Sequence, residues 1–195
     1  VFKMISAIIM ASGFGRRMGI NKLFLPYKGK YLVEHIIEVV SKYNFYEKVI
    51  VARDDIILEL GKQKGLLGIK NNRAHIGQSE SIKLALKYAQ KTEGYMFFTA
   101  DQPFIDIQTI NLLVYSFNVN NQNIIVPKYG NRRGSPVIFP LRFVDELKSL
   151  EGDVGGGKVM NCHREDITFV ELKNGISLMD VDTKEDYRRL IVVKE

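Results

Sequence analysis

Residues 10–22, "MASGFGRRMGINK", place three glycines, two arginines and a lysine directly after an apolar run. Gly13 and Gly15 can adopt positive φ without a Cβ clash and let backbone N–H groups approach a ligand. A run of such amides makes an anion-binding nest. Arg16 adds a planar fork suited to phosphate oxygens, and Lys22 adds a point charge. The loop therefore suits a triphosphate. It is not a P-loop, because Gly19 is followed by Ile20 and Asn21 before Lys22 rather than by Gly-Lys-Ser/Thr. It also departs from the dinucleotide fingerprint: Met18 stands where the third glycine belongs, and Gly19 comes one residue late. Glu34 and Glu38 fall in a patterned helix, and Asp54 and Asp55 lie about twice too far on to bind a ribose, which disfavours a dehydrogenase.

Acids complete the set. "TADQP", residues 99–103, ends an apolar segment with Asp101, where a hard cation can take a carboxylate together with phosphate oxygens. "MDVDT", residues 179–183, offers Asp182 as a second ligand and Asp180 as a fallback. Asp182 also suits the N-cap of the last helix, with Glu185 three residues on; the two roles are compatible, and sequence alone leans to the cap. Magnesium commonly takes one or two carboxylates plus substrate phosphates, which is the set available here. "GQSES", residues 77–81, leads into a helix and reads either as a cap or as a contact to a base or phosphate. "GNRRGSP", residues 130–136, and "GDVGGGK", residues 152–158, are turn-like and suit an anionic second substrate. His35, His75 and His163 have no ligand spacing, and His35 reads as structural. The single cysteine, Cys162, reads as a small, semi-buried, inert residue.

Alternating strands and helices must hold these clusters. Residues 4–11, 48–52, 95–100, 123–127, 135–139 and 167–172 read as strands. The 95–100 segment is apolar enough for the sheet centre, and Pro136 makes 135–139 a short or edge strand. Residues 31–42, 56–64, 79–91, 106–117, 142–150 and 183–191 read as helices, with Ser79 as an N-cap. Such alternation argues for a parallel sheet covered on both faces, whose ligands bind beyond the carboxyl ends of the strands. Residues 12–22, 101–106 and 180–182 all fall there.

The chain of 195 residues is 46% hydrophobic and 26% charged, an ordinary globular balance, and one domain over 1–195 is expected. No apolar run approaches the roughly 20 residues that cross a bilayer. The first residues lack the pattern of a secretory signal, and one cysteine forms no intrachain disulfide. A cytoplasmic protein without a membrane partner is expected. The net charge of +6 is spread along the chain, which favours a small polyanionic ligand over a nucleic acid.

The first loop, with "GQSESIKLAL", "TADQP", "RRGSPVIF", "EGDVGGGKVM" and "MDVDTKEDY" in that order, resembles the molybdopterin nucleotidyltransferase (MobA-like NTP transferase) family, above all its molybdenum cofactor cytidylyltransferases. The likeness spans residues 7–187. It implies a Rossmann-like three-layer α/β fold with a mostly parallel sheet, of the nucleotide-diphospho-sugar transferase type. It also implies magnesium-dependent transfer of CMP from CTP to the terminal phosphate of molybdopterin, with pyrophosphate released. Carried onto this chain, it places Ala11, Ser12 and Gly13 at the base and ribose, and Gly15, Arg16 and Lys22 along the triphosphate. Asp101 and Asp182 would hold Mg2+, and Gly77 and Ser81 would lie near the nucleotide. Arg133, Gly134, Gly152, Asp153 and Gly155 would meet the acceptor. A molybdoenzyme or a chaperone would receive the product. Family members carry Ala-Ala-Gly for cytidylyl and Ala-Gly-Gly for guanylyl transfer. Ser12 is nearer alanine in size, which favours CTP over GTP. Ala100 replaces the usual glycine before the acid, and Gly15 the usual serine. Rivals are a transferase acting on a sugar or alditol phosphate and a non-catalytic nucleotide-binding regulator.

Overall fold

Alternation along the first strand sets the architecture. In β1 (Ile5–Ala11), Ile5, Ala7, Ile9 and Ala11 enter one buried cluster, whereas Ile8 enters another. A strand buried on both faces needs cover on both faces. A computed structural model describes residues 3–13 and 19–192, and the Val192 side chain is not included. Gly15 and Arg16, with Phe14, Arg17 and Met18, lie outside the described residues.

After β1 come a small hairpin of β2 (Pro26–Tyr27) and β3 (Lys30–Tyr31), α1 (Leu32–Lys42), β4 (Glu47–Ala52), α2 (Asp55–Gln63), β5 (Leu67–Lys70), α3 (Gln78–Tyr88), β6 (Gly94–Thr99) and α4 (Ile107–Val119). The second half contains β7 (Ile124–Tyr129), β8 (Arg132–Arg133), β9 (Val137–Pro140), α5 (Val144–Lys148), α6 (Gly157–Cys162), β10 (Ile167–Glu171) and α7 (Lys184–Val192). Among the described residues the main sheet has eight strands. Seven follow the order β10-β7-β9-β6-β1-β4-β5, and β8 pairs with β7. The β1–β4, β1–β6, β4–β5 and β7–β10 pairs are parallel; β9 runs antiparallel to both β6 and β7.

Val33, Ile36, Ile37 and Val40 of α1, Ile57 of α2, and Ile110, Leu113 and Phe117 of α4 pack on one sheet face. Ile82, Ala85 and Leu86 of α3, Val144 and Leu147 of α5, and Val159 of α6 pack on the other. The result is three layers, mixed α/β with a mostly parallel sheet, as the alternation predicts. Among the described residues, no helix is long and apolar enough to cross a membrane.

Several local expectations are corrected. β9 is short, as one of the two expectations had it, but interior rather than an edge, because Pro136 precedes the strand. β5 and α6 went unpredicted: each is short, and α6 starts inside the glycine run 155–157. Gly77, at φ 134°, is the N-cap of α3, and Ser79 is a buried residue within the helix. Cys162 is exposed rather than semi-buried. His35 is structural: its Nε2 lies 3.0 Å from the Tyr27 carbonyl oxygen and its ring packs on Tyr27.

Candidate functional site

The chain runs outward from β1 to β4 and β5, then returns to β6 on the other side of β1. That reversal opens a crevice at the carboxyl ends of β1 and β6, the place where parallel sheets bind ligands. A cleft of about 470 Å³ lies there. Ser12, Gly13, Lys22, Gly77, Ser81, Asp101, Asp153 and Asp182 all line it.

Lys22 opens a single 3-10 turn, Lys22–Phe24. Asn21 caps the turn by accepting the Leu23 N–H at 3.2 Å, and its amide donates to Asp54 at 2.9 Å. Leu23 is buried, which anchors the backbone of the turn while Lys22 faces the cleft. The Lys22 ammonium donates to Asp101 Oδ2 at 2.5 Å and to Asp182 Oδ1 at 2.6 Å. Burial alone would pull this lysine below its ordinary value, but the Asp101 and Asp182 carboxylates outweigh burial and raise it. Lys22 is therefore cationic throughout the neutral range.

Asp101 follows β6, and its carbonyl oxygen accepts the Val181 N–H at 3.1 Å, tying the two acidic turns together. Its Oδ1 is buried and has no hydrogen-bond partner among the described residues. A buried carboxylate oxygen left unpaired is costly unless a cation or donor meets it. One orphaned oxygen beside a second carboxylate is a donor set that fits a hard divalent cation.

Asp182 does not cap the last helix. Thr183 does: Asp186 Oδ2 accepts the Thr183 N–H at 2.8 Å and its hydroxyl at 2.7 Å, while the Asp186 N–H donates to the Thr183 hydroxyl at 3.1 Å. The capping partner is thus Asp186 and not Glu185, and the Asp182 carboxylate turns to Lys22. Asp180 is drawn elsewhere, into a 3.0 Å ion pair with Arg132.

Ser12 and Ser81 are buried and joined by a residue that sequence reasoning missed. The Asn71 amide donates to Ser81 at 2.9 Å and to Ser12 at 3.4 Å, and Ser12 donates to the Val51 carbonyl at 3.2 Å. Asn71 directly follows β5 and lengthens the parallel ladder through its N–H to Ala52. A polar residue ending a strand was the only available signal, and β5 itself was not predicted. His75 also lines the cleft, although histidine spacing pointed to no site.

The 77–81 and 152–157 segments, expected at different subsites, dock on each other. The Gln78 N–H donates to Asp153 Oδ1 at 3.1 Å, and the Ser79 hydroxyl donates to the Gly152 carbonyl at 2.7 Å. A Cβ on Gly77 would lie 2.3 Å from the Asp153 Cα, so only glycine permits this approach. Gly155 lies against the end of the Gln78 side chain, a contact that the flexible side chain can relieve. Asp153 thus occupies the start of α3, where a phosphate was an alternative. Arg133 and Gly134 do not line the cleft: Arg133 is exposed on β8, with its guanidinium 3.5 Å from Asn161 Oδ1, and Gly134 packs on Leu178. The neighbouring Ser135 borders a smaller cavity of about 130 Å³ together with Gly156, Phe139 and Met160, and this cavity shares Met10, Gln78 and Thr99 with the main cleft.

A model of the MobA-like NTP transferase domain matches residues 7–167. The chain is 26% identical over 207 residues to a probable molybdenum cofactor guanylyltransferase of Methanosarcina acetivorans, spanning 95% of this chain and 89% of that one. To a probable molybdenum cofactor guanylyltransferase of Natranaerobius thermophilus it is 30% identical over 124 residues, 63% of this chain and 60% of the relative's length. Rv0371c of Mycobacterium tuberculosis, solved in complex with manganese, superimposes with a TM-score of 0.83 at 22% identity, covering 98% of this chain and 100% of that one. The fold is of the nucleotide-diphospho-sugar transferase type.

Proposed function

The chain belongs to the MobA-like NTP transferase domain family and is a nucleotidyltransferase; from that premise we propose that it transfers CMP from CTP to the terminal phosphate of a molybdopterin-type cofactor. The observation that carries this reading is the convergence of Lys22, Asp101 and Asp182 at the carboxyl ends of β1 and β6, in the cleft that Gly13 also lines. A phosphate oxygen of the acceptor attacks the α-phosphorus, and the bond to the pyrophosphate oxygen breaks. The nucleophile is already an anion, so no general base is required, in keeping with a cluster built from one ammonium and two carboxylates.

Two polyanions must be brought together, and their repulsion is the main obstacle. A divalent cation held by Asp101 and Asp182, Mg2+ by choice, supplies neutralisation at the phosphate oxygens. Lys22 adds a fixed positive charge, and Arg16 and the amides near Gly13 and Gly15 are assigned to the triphosphate. Ala11, Ser12, Gly77 and Ser81 border the nucleoside. Asp153 lines the main cleft and Ser135 the smaller cavity beside it, and Gly152, Gly155, Arg133 and Gly134, next to them in the chain, are assigned to the acceptor side.

Ser12 supports CTP as donor. Its hydroxyl is turned inward to Val51 and Asn71, so its bulk stands where guanylyl members leave only a glycine. GTP is the second reading, favoured by the names of the relatives from Methanosarcina acetivorans and Natranaerobius thermophilus. Pyrophosphate release is measured with Mg2+, molybdopterin cofactor and each of CTP, GTP and ATP. Acceptor-dependent release with CTP is the expected result. Preference for GTP keeps the transfer chemistry and overturns the reading of Ser12. Release with no nucleotide, from folded protein and intact acceptor, overturns the choice of acceptor.

A further inference from the structure

The Lys22 ammonium stands between the two carboxylates assigned to the metal, 2.5 Å from Asp101 Oδ2 and 2.6 Å from Asp182 Oδ1. A divalent cation held by these two carboxylates would draw on oxygens that Lys22 already holds. Both cations cannot hold the pair at once. We infer that Lys22 is a built-in counter-cation that competes with the divalent metal for Asp101 and Asp182, and that metal entry releases its ammonium to the triphosphate. This rests on the reading of the cleft as a metal–nucleotide site and adds the order in which its charges assemble.

Three features support an exchange rather than a permanent ion pair. The first is the flexibility of the side chain: an ammonium on a four-carbon stem can swing while its backbone stays fixed, and here the Asn21 cap and buried Leu23 fix the turn. The second is an entry point: Asp101 Oδ1 is buried and unpartnered, so an incoming cation has a ligand before Lys22 departs. The third is asymmetry of burial. The Asp101 side chain is 18% exposed, whereas Asp182 is 41% exposed, so the Asp182 end of the bridge opens to solvent. Bare metal then has to displace a resident charge. Metal arriving with a nucleotide brings the phosphate oxygens that accept the displaced ammonium, which couples the two binding events.

The test uses Mn2+ alone, with the full chain and no nucleotide, following free Mn2+ by electron paramagnetic resonance. Lys22→Met is expected to bind Mn2+ at least tenfold more tightly than wild type, and Asp101→Asn added to it is expected to abolish the gain. Equal or weaker binding by a folded Lys22→Met overturns the inference. If that variant does not fold, the wild type decides. Acylation of lysines read by mass spectrometry is expected to rise at Lys22 when Mn2+ saturates, with exposed Lys62 unchanged as a control. Unchanged labelling of Lys22 at saturation overturns the exchange. Neither measurement involves a nucleotide or an acceptor. Absence of pyrophosphate release would therefore overturn the choice of acceptor while leaving the competition between cations to be judged by these results.

Discussion

Lys22, Asp101 and Asp182 form one electrostatic unit, so removing any one member changes what the other two must tolerate. Asp101 has the most buried carboxylate of the pair and an oxygen with no other partner. Asp101→Asn is expected to lower kcat by about 10²–10³ or more, the scale of losing a main electrostatic group at a reacting centre. Its circular dichroism should match wild type; full pyrophosphate release in this variant would remove Asp101 from the chemistry. The two acids of the 179–183 turn should separate cleanly. Asp182→Asn is expected to impair turnover strongly, whereas Asp180→Asn, which breaks only the exposed pair with Arg132, should leave kcat within about threefold, since exposed pairs contribute little. Equal losses would put Asp180 in the site. Types and spacing singled out Lys22, Asp101 and Asp182 in the sequence, and the fold brings their side chains into contact. Asn71 was not legible. Its role depends on two serines 59 and 10 residues away, and only the fold brings them together.

At the scale of elements, two connections govern the site. Gly77 has φ 134° and abuts the backbone of residues 152–153. Gly77→Ala is expected to cost about 1 kcal/mol or more of stability through strain. It should also push the 152–157 loop off α3, lowering kcat/KM for the acceptor more than for the nucleotide; an unchanged acceptor KM would uncouple the loop from that subsite. The start of α7 makes a pH-dependent prediction. The Thr183 hydroxyl, with the N–H groups of Thr183 and Asp182, holds the Asp186 carboxyl below its ordinary value of 3.8 despite some burial. A depressed carboxyl stabilises the fold above its unfolded value, and that contribution is lost as pH falls through the folded value. Asp186→Asn should therefore melt earlier than wild type at pH 7, and the gap should close below about pH 3.8. Thr183→Ala should cost about 1 kcal/mol at neutral pH, as lost helix caps do. Long helices and apolar strands were legible from periodicity alone. Local chemistry misled in two places: Pro136 suggested an edge although it stands outside its strand, and Asp182 looked like a cap because Thr183, one residue on, was not weighed.

Across the whole molecule, the site joins distant parts of the chain around one reversal of strand order. Its ligands should therefore stabilise the fold globally. Mg2+ with CTP, at about 100 times the dissociation constant, is expected to contribute about 2.7 kcal/mol, or roughly 5–10 °C in melting temperature for a domain of this size. Neither Mg2+ nor CTP alone should approach that shift; additive small shifts would deny the coupling. The layered fold was legible because strand and helix patterns alternate, and the sheet's carboxyl edge then located the polar clusters. The docking of 77–81 on 152–157 was not, since it rests on a backbone approach at Gly77 that leaves no room for a Cβ, and no periodicity encodes such an approach.

Lys22 and Asp182 are 160 residues apart in the chain, yet their side chains touch. During synthesis, the turn bearing Lys22 precedes by 160 residues the acid that faces it. No nascent or truncated chain lacking residues 180–192 can assemble the charge cluster. The charge cluster is thus complete only where the fold has brought these two distant segments of the chain together.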